Sequence, residues 1–177
     1  MQQIDPLKVW QGFHWSFFIN VQGLIISMLR FERSITLEDI PSAKAELNTA
    51  AGLMLAAASS MELAGEFSRE EYDRYIRPTM MPPKVKSEDF SGLMFWDHAY
   101  LMLVWKKIQP IFKNMPHVLR SEHDKFIAAY MVLSQSHKQV CSKFGGDEIV
   151  SLRGSKVTAI KTLSKFEQNR QKTISNL

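Results

Sequence analysis

One cysteine in 177 residues excludes an internal disulfide, so Cys141 has either a packing role or a chemical one. Strict polar–apolar alternation over five or more residues is absent, which argues against a sheet. No stretch approaches the roughly 20 apolar residues of a bilayer span. Met1 to Lys8 lack the basic start, apolar run and small-residue cleavage site of a secretory leader. A cytoplasmic protein with no membrane partner is therefore expected. H-E-x-x-H, a glycine-rich phosphate loop and a G-x-S-x-G turn are all missing, which disfavours zinc hydrolase, nucleotide and serine-hydrolase chemistry. The net charge of +4 is focused weakly, with Lys156, Lys161, Lys165, Arg170 and Lys172 near the end. Without aromatic or groove-entering partners those residues read as a solvated helix face, and no nucleic acid is expected as a partner.

What is present is an ordinary globular composition, 45% hydrophobic and 23% charged. A chain of this length hides roughly 70% of its unfolded surface on folding. Apolar residues recur at spacings of three and four, which predicts an all-α fold: residues 1–177 as a single-domain helical bundle of about six helices. Asp5-Pro6 caps a long helix from Leu7 to about Arg33, with Phe13, Phe17, Val21, Leu24, Met28 and Phe31 on its apolar face. A second helix begins near Pro41 or Ser42 and runs to Gly65. Its alanine-rich face admits a neighbouring helix or a flat cofactor at close range. Ser68 caps a short third helix that Pro78 ends, and an irregular crossing with Pro82 and Pro83 comes next. Leu93 to about Lys113 forms the fourth helix, with Pro110 kinking its last turn. Pro116 to about Phe144 forms the fifth, and Ser155 caps a basic sixth.

The fifth helix carries the most chemistry. Phe126, Tyr130, Leu133, His137, Val140 and Cys141 share its apolar stripe, so His137 and Cys141 lie one turn apart on one face, about 6 Å from each other. Such a pair suits gripping one object. A heme fits, with the imidazole as axial iron ligand and the thiol reaching the macrocycle edge as a thioether; taken alone, the pattern is more often a buried cysteine beside a hydrogen-bonded core histidine.

The order of segments resembles the tryptophan 2,3-dioxygenase superfamily of helical heme proteins across most of the chain. His14-Trp15-Ser16-Phe17-Phe18-Ile19-Asn20-Val21-Gln22 is similar to that family's early H-x-F-I-x-x-H-Q segment, with Val21 where the family has a distal histidine. Tyr72-Asp73-Arg74-Tyr75-Ile76-Arg77 and Asp89-Phe90-Ser91-Gly92 echo its F-x-x-F-R and G-F-Q-S segments, the arginine displaced by one. His137-Lys138-Gln139-Val140-Cys141 matches the H-x-x-x-C heme attachment of histidine-ligated aromatic hydroxylases in the superfamily, upstream of Gly145, Gly146 and Gly154. The resemblance implies a heme iron held by His137 and tethered by Cys141. It also implies a small aromatic, amino-acid-like substrate whose carboxylate meets Arg77 or Arg74, between walls from Phe13, Phe17 and Tyr72. The implied reaction is oxygenation or hydroxylation, with Val21 arguing against simple indole dioxygenation.

With the distal position apolar, His14 and His98 compete as the proton-moving group, since near-neutral imidazole suits that task. Asp97-His98 in a first helical turn is also a plain dipole and capping arrangement. His117 and His123 flank the start of the fifth helix and read as surface residues. Two rival readings remain open: a non-enzymatic helical protein whose apolar faces form a homo-oligomer, such as a dimer, and an iron-free bundle that binds a small molecule.

Overall fold

The computed structural model describes residues 5–85, 95–145 and 159–175, and no strand occurs among them. Helix α1 (Pro6–Thr36) starts because the Asp5 carboxylate accepts the Leu7 N–H at 3.0 Å and Pro6 needs no partner at the first position. A tight turn with Glu38 in the left-handed region (φ 56°) leads to α2 (Ile40–Ala64), where Asp39 caps the Ser42 N–H at 3.1 Å. Helix α3 (Arg69–Glu71) opens with a reciprocal box: Ser68 Oγ accepts from Glu71 N, and Glu71 accepts from Ser68 N. The predicted stop at Pro78 is not where the helix ends. The chain winds on as a π turn (Tyr72–Ile76) and a 3-10 turn (Arg77–Met80), because Pro78 sits in the first turn of a new helical segment, where its missing N–H costs nothing.

Helix α4 (Trp96–Lys113) accommodates Pro110 in its last turn, and α5 (Arg120–Gly145) comes after a 3-10 turn at His117–Leu119. Helix α6 (Ala159–Ile174) returns along α4 and α5. Asp89-Phe90-Ser91-Gly92, Gly146, Gly154 and the Ser155 cap lie outside the described residues.

Helix α2 is sandwiched between α1 and α5, and its small residues make that possible. Ala50, Ala57 and Ala58 are buried, and Gly23 of α1 lies so close to Leu53 that an added Cβ would meet it at 3.2 Å. The buried alanines therefore take neighbouring helices, the closer approach being set by the absence of side-chain bulk. Helix α1 is long and apolar enough to cross a membrane by length and composition, which corrects the expectation that no segment reaches that limit. In this fold its Val21, Leu24, Met28 and Phe31 are core residues beside Leu47, Met54, Val104, Ile108, Phe112 and Phe126. A smaller cluster of Phe67, Ile76 and Phe144 closes the other end of the bundle, with Leu7, Trp10, Tyr72 and Val140 packed on it.

His123 is not a surface residue: it is fully buried, stacked on Phe112 (centroids 5.1 Å, interplanar 4°), with Nε2 donating to the Ile174 carbonyl at 2.5 Å. Its Nδ1 is buried without a partner, so protonation would place a charge in the core. Burial accordingly lowers its pKa below 6.5, the Ile174 and Asp124 contributions being smaller and opposite. A lowered folded-state value stabilises above the unfolded pKa and is lost as pH falls towards the folded one. Urea titrations at stepped pH are expected to show stability declining below pH 6.5, with a shallower decline in His123→Phe.

Candidate functional site

Four helices converge on one group of titratable side chains. His14 on α1 sits between Trp10 (centroids 4.3 Å) and Phe18 (6.0 Å). Its Nδ1 is buried under the Trp10 carbonyl without a hydrogen bond of normal geometry, and desolvation by burial lowers its pKa, opposed by that carbonyl. His137 on α5 makes no hydrogen bond among the described residues. Burial, followed by the positive charge of Arg170 and a smaller coupling to the neighbouring His14, pushes its pKa down to about 4, so the ring is neutral with an available lone pair at physiological pH. Cys141, one turn on, is partly exposed, and burial pushes its thiol up to about 11, which keeps it protonated.

Arg170 links the remaining histidine to this group. Its Nη2 donates to His98 Nε2 at 2.6 Å, while its charge reaches His137. An acceptor at Nε2 puts the proton of a neutral His98 on Nδ1. Sequence reasoning missed Arg170 because a lysine-rich amphipathic helix reads as a solvated face. Only the docking of α6 turns this one cation inward.

That docking has a visible cause. Glu167, one turn before Arg170, accepts from Lys138 Nζ at 2.8 Å and from Ser134 Oγ, which ties α6 to α5 beside His137. Burial alone would raise the Glu167 pKa, but Lys138 and Ser134 outweigh it and the net shift is downward. Glu167→Ala would leave Lys138 without its partner and is expected to cost about 2 kcal/mol in urea unfolding.

The other residues singled out from sequence are placed differently. Tyr72 stacks on Phe144 (4.6 Å, 19°), a contact made by the first turn of the π segment. Phe17 is partly buried against the main core and touches Phe18 edge-on, and Phe18 in turn meets Phe95 of the α4 entry at 4.5 Å. Arg77 is partly buried and makes no ion pair among the described residues, whereas Arg74 is exposed over the Tyr75 ring at 5.2 Å. Val21 is buried in the core. The structure thus gathers His14, His98, His137 and Cys141 at one end of α5 or along its α6 contact, and leaves Tyr72 in the smaller core cluster. No group of three or more His, Cys, Asp or Glu side chains with metal-site spacing occurs among the described residues.

Two clefts flank the group. One, of about 530 Å³, opens between α4 and α6 and is lined by His98, Met102, Trp105, Lys106, Phe166 and Arg170, among others. The second, of about 440 Å³, lies where α2, α5 and α6 meet, beside Glu62 and Ser136, which are hydrogen-bonded at 2.5 Å. His137 lines neither.

His14 lies between aromatic rings, and burial keeps His137 neutral and the Cys141 thiol protonated one turn on, with the Arg170 guanidinium nearby; a hydrolytic triad would need a paired nucleophile and base. Comparison with known proteins gives the family. Residues 1–122 match the family of the SfmD 3-methyl-L-tyrosine peroxygenase, and the chain belongs to that family. A 3-methyl-L-tyrosine peroxygenase of Streptomyces lavendulae is 30% identical over 169 residues, covering 94% of this chain and 46% of the relative. The chain thus spans about half the length of that curated relative, and at 94% coverage the aligned stretch necessarily contains His137 and Cys141. No solved structure matches.

Proposed function

We propose that this chain is the heme-holding part of an oxygenase or hydroxylase that acts on a tyrosine-like aromatic amino acid, with His137 as the axial iron ligand and Cys141 as a covalent tether. The observation that carries the reading is His137 itself: a neutral imidazole without a hydrogen bond among the described residues, one helical turn from the chain's single cysteine, in a chain whose family is named for a peroxygenase. The donor set fits the group. Heme iron takes a neutral imidazole nitrogen, and a protonated thiol on the same helix face is what a thioether to the macrocycle edge requires. The H-x-x-x-C spacing and the likeness to the tryptophan 2,3-dioxygenase superfamily support the same choice.

Iron bound there would supply the oxidising chemistry for oxygen transfer to a phenol ring, and the protein supplies the rest. His137 holds its ring unprotonated because burial first, and the neighbouring Arg170 charge second, oppose protonation. Of the two candidates for moving protons, His14 is favoured, since His98 Nε2 is engaged by Arg170 while His14 Nδ1 lacks a well-formed bond. Trp10 and Phe18 flank the His14 ring. His98 acts as a positioning residue that fixes Arg170.

The test is the visible absorption spectrum of protein expressed with a heme precursor, repeated after acid-acetone extraction. A Soret band is expected in the wild type and should resist extraction, whereas Cys141→Ala should keep the band and release the colour to the solvent. A colourless wild-type protein that also ignores added hemin would sink the reading and return the iron-free binding bundle to first place.

A further inference from the structure

Helix α1 is apolar on more than its core side. Of its most apolar 18 residues only 28% are buried in this bundle, whereas the surface helix of a lone domain turns polar residues to water. Trp15 (70% exposed), Ile19 and Ile26 stand on the solvent stripe of α1, and Trp96 (89% exposed), Tyr100 and Leu103 stand on that of α4. The two stripes form one face. Gln22 Nε2 donates to Asp97 at 3.2 Å, and ten residues further along each helix Lys107 Nζ donates to Glu32 at 2.8 Å, so α1 and α4 lie side by side and run in the same direction. Together the six apolar side chains expose on the order of 800 Å². That exceeds the roughly 300–600 Å² of the largest apolar patch on a typical monomer and is about what each partner of a stable dimer contributes.

We infer that the α1–α4 face is the interface of a homodimer, packed on the same face of a second copy across a two-fold axis. Two parallel ridges with a seam between them are self-complementary, because a ridge of one copy fits the seam of the other. A lipid surface is the poorer match: the Asp97 carboxylate and its Gln22 partner stand within the face, and a protein interface takes a hydrogen-bonded pair where hydrocarbon does not. Arg30 and the Glu32–Lys107 ion pair give the far end a polar rim. The second copy also reaches the edge of the candidate site. Phe95, 37% exposed and next to Trp96, packs on Phe18, which in turn meets His14, so covering Trp96 closes the outer end of that aromatic run. The inference is carried by exposed side chains and is independent of whether His137 binds iron.

Sedimentation velocity of the full chain at micromolar concentration tests the interface. The wild type is expected to sediment at twice the 20.4 kDa of one chain, and its tryptophan emission should shift to the red on dilution as Trp15 and Trp96 meet water. The double variant Ile19→Glu with Leu103→Glu puts a charge on each ridge and should weaken association at least about a hundredfold. Val132→Glu, at an exposed apolar position on α5, should leave the dimer intact. Circular dichroism and urea unfolding of each variant separate lost association from lost folding. If the double variant fails to fold, Trp96→Ala carries the test, with association weakened at least about tenfold. A wild-type chain that sediments as a monomer, a dimer that survives the double variant, or one that Val132→Glu disrupts equally would overturn the inference. Flotation of a monomeric wild type with vesicles of phosphatidylcholine and phosphatidylserine would overturn it too, and assign the face to a lipid surface.

Discussion

His137→Ala is expected to abolish the Soret band and with it any oxygen-transfer activity, while the far-ultraviolet circular dichroism stays unchanged. The ring makes no hydrogen bond among the described residues, so removing it orphans no buried partner there and the cost to folding is small beside the loss of ligation. The wild-type band has its own pH signature. A histidine of ordinary pKa is largely protonated below pH 6.5, whereas His137, held at about 4, keeps its lone pair well below neutrality. The band should therefore persist to about pH 5, where an exposed histidine ligand would already be competing with protons. Loss of the band near pH 6.5, or a full band in His137→Ala, would assign the iron to another residue.

Phe112→Ala is expected to destabilise the fold by about 3–5 kcal/mol, a large part of the roughly 5–15 kcal/mol that holds a domain of this size together. Phe112 is fully buried at the crossing of three elements, stacked between Phe31 of α1 (6.1 Å), Phe126 of α5 (5.5 Å) and the His123 ring. No single neighbour can move to fill the space, because each ring also packs on other core residues. Urea unfolding followed by circular dichroism measures the loss. Phe112→Leu, which keeps most of the volume, should cost well under half as much. A loss below about 1 kcal/mol for the alanine variant would show that this end of α4 is not part of the cooperative core.

The helices were legible because their signals are local. Asp5-Pro6, Pro41 and Ser68 act within a few residues of themselves, and each lies within a residue or two of where a helix starts. The apolar face through Val21, Leu24, Met28 and Phe31 arises from a 3.6-residue period alone. The pairing of His137 with Cys141 on one helix face is local in the same sense. So is the candidacy of His14 and His98, which needs only the chemistry of imidazole.

Which surfaces meet was beyond the sequence. The π turn at Tyr72–Ile76 widens one helical turn, rotates the residues after it and packs Tyr72 on Phe144, an outcome without a period to announce it. His123 reads as polar and turns out to be core, because a ring nitrogen finds the Ile174 carbonyl fifty-one residues away. Arg170 is one of several cations on a basic helix until Glu167 clasps Lys138 and turns it towards His98 and His137. Capping and periodicity are energies between neighbours in the chain, so the sequence by itself determined an all-α protein with a histidine and a thiol one turn apart. Burial, desolvation and counter-ion choice are energies between segments far apart in the chain. Only the tertiary structure could therefore make His137 neutral, place Arg170 beside it, and leave that guanidinium without an acid among the described residues.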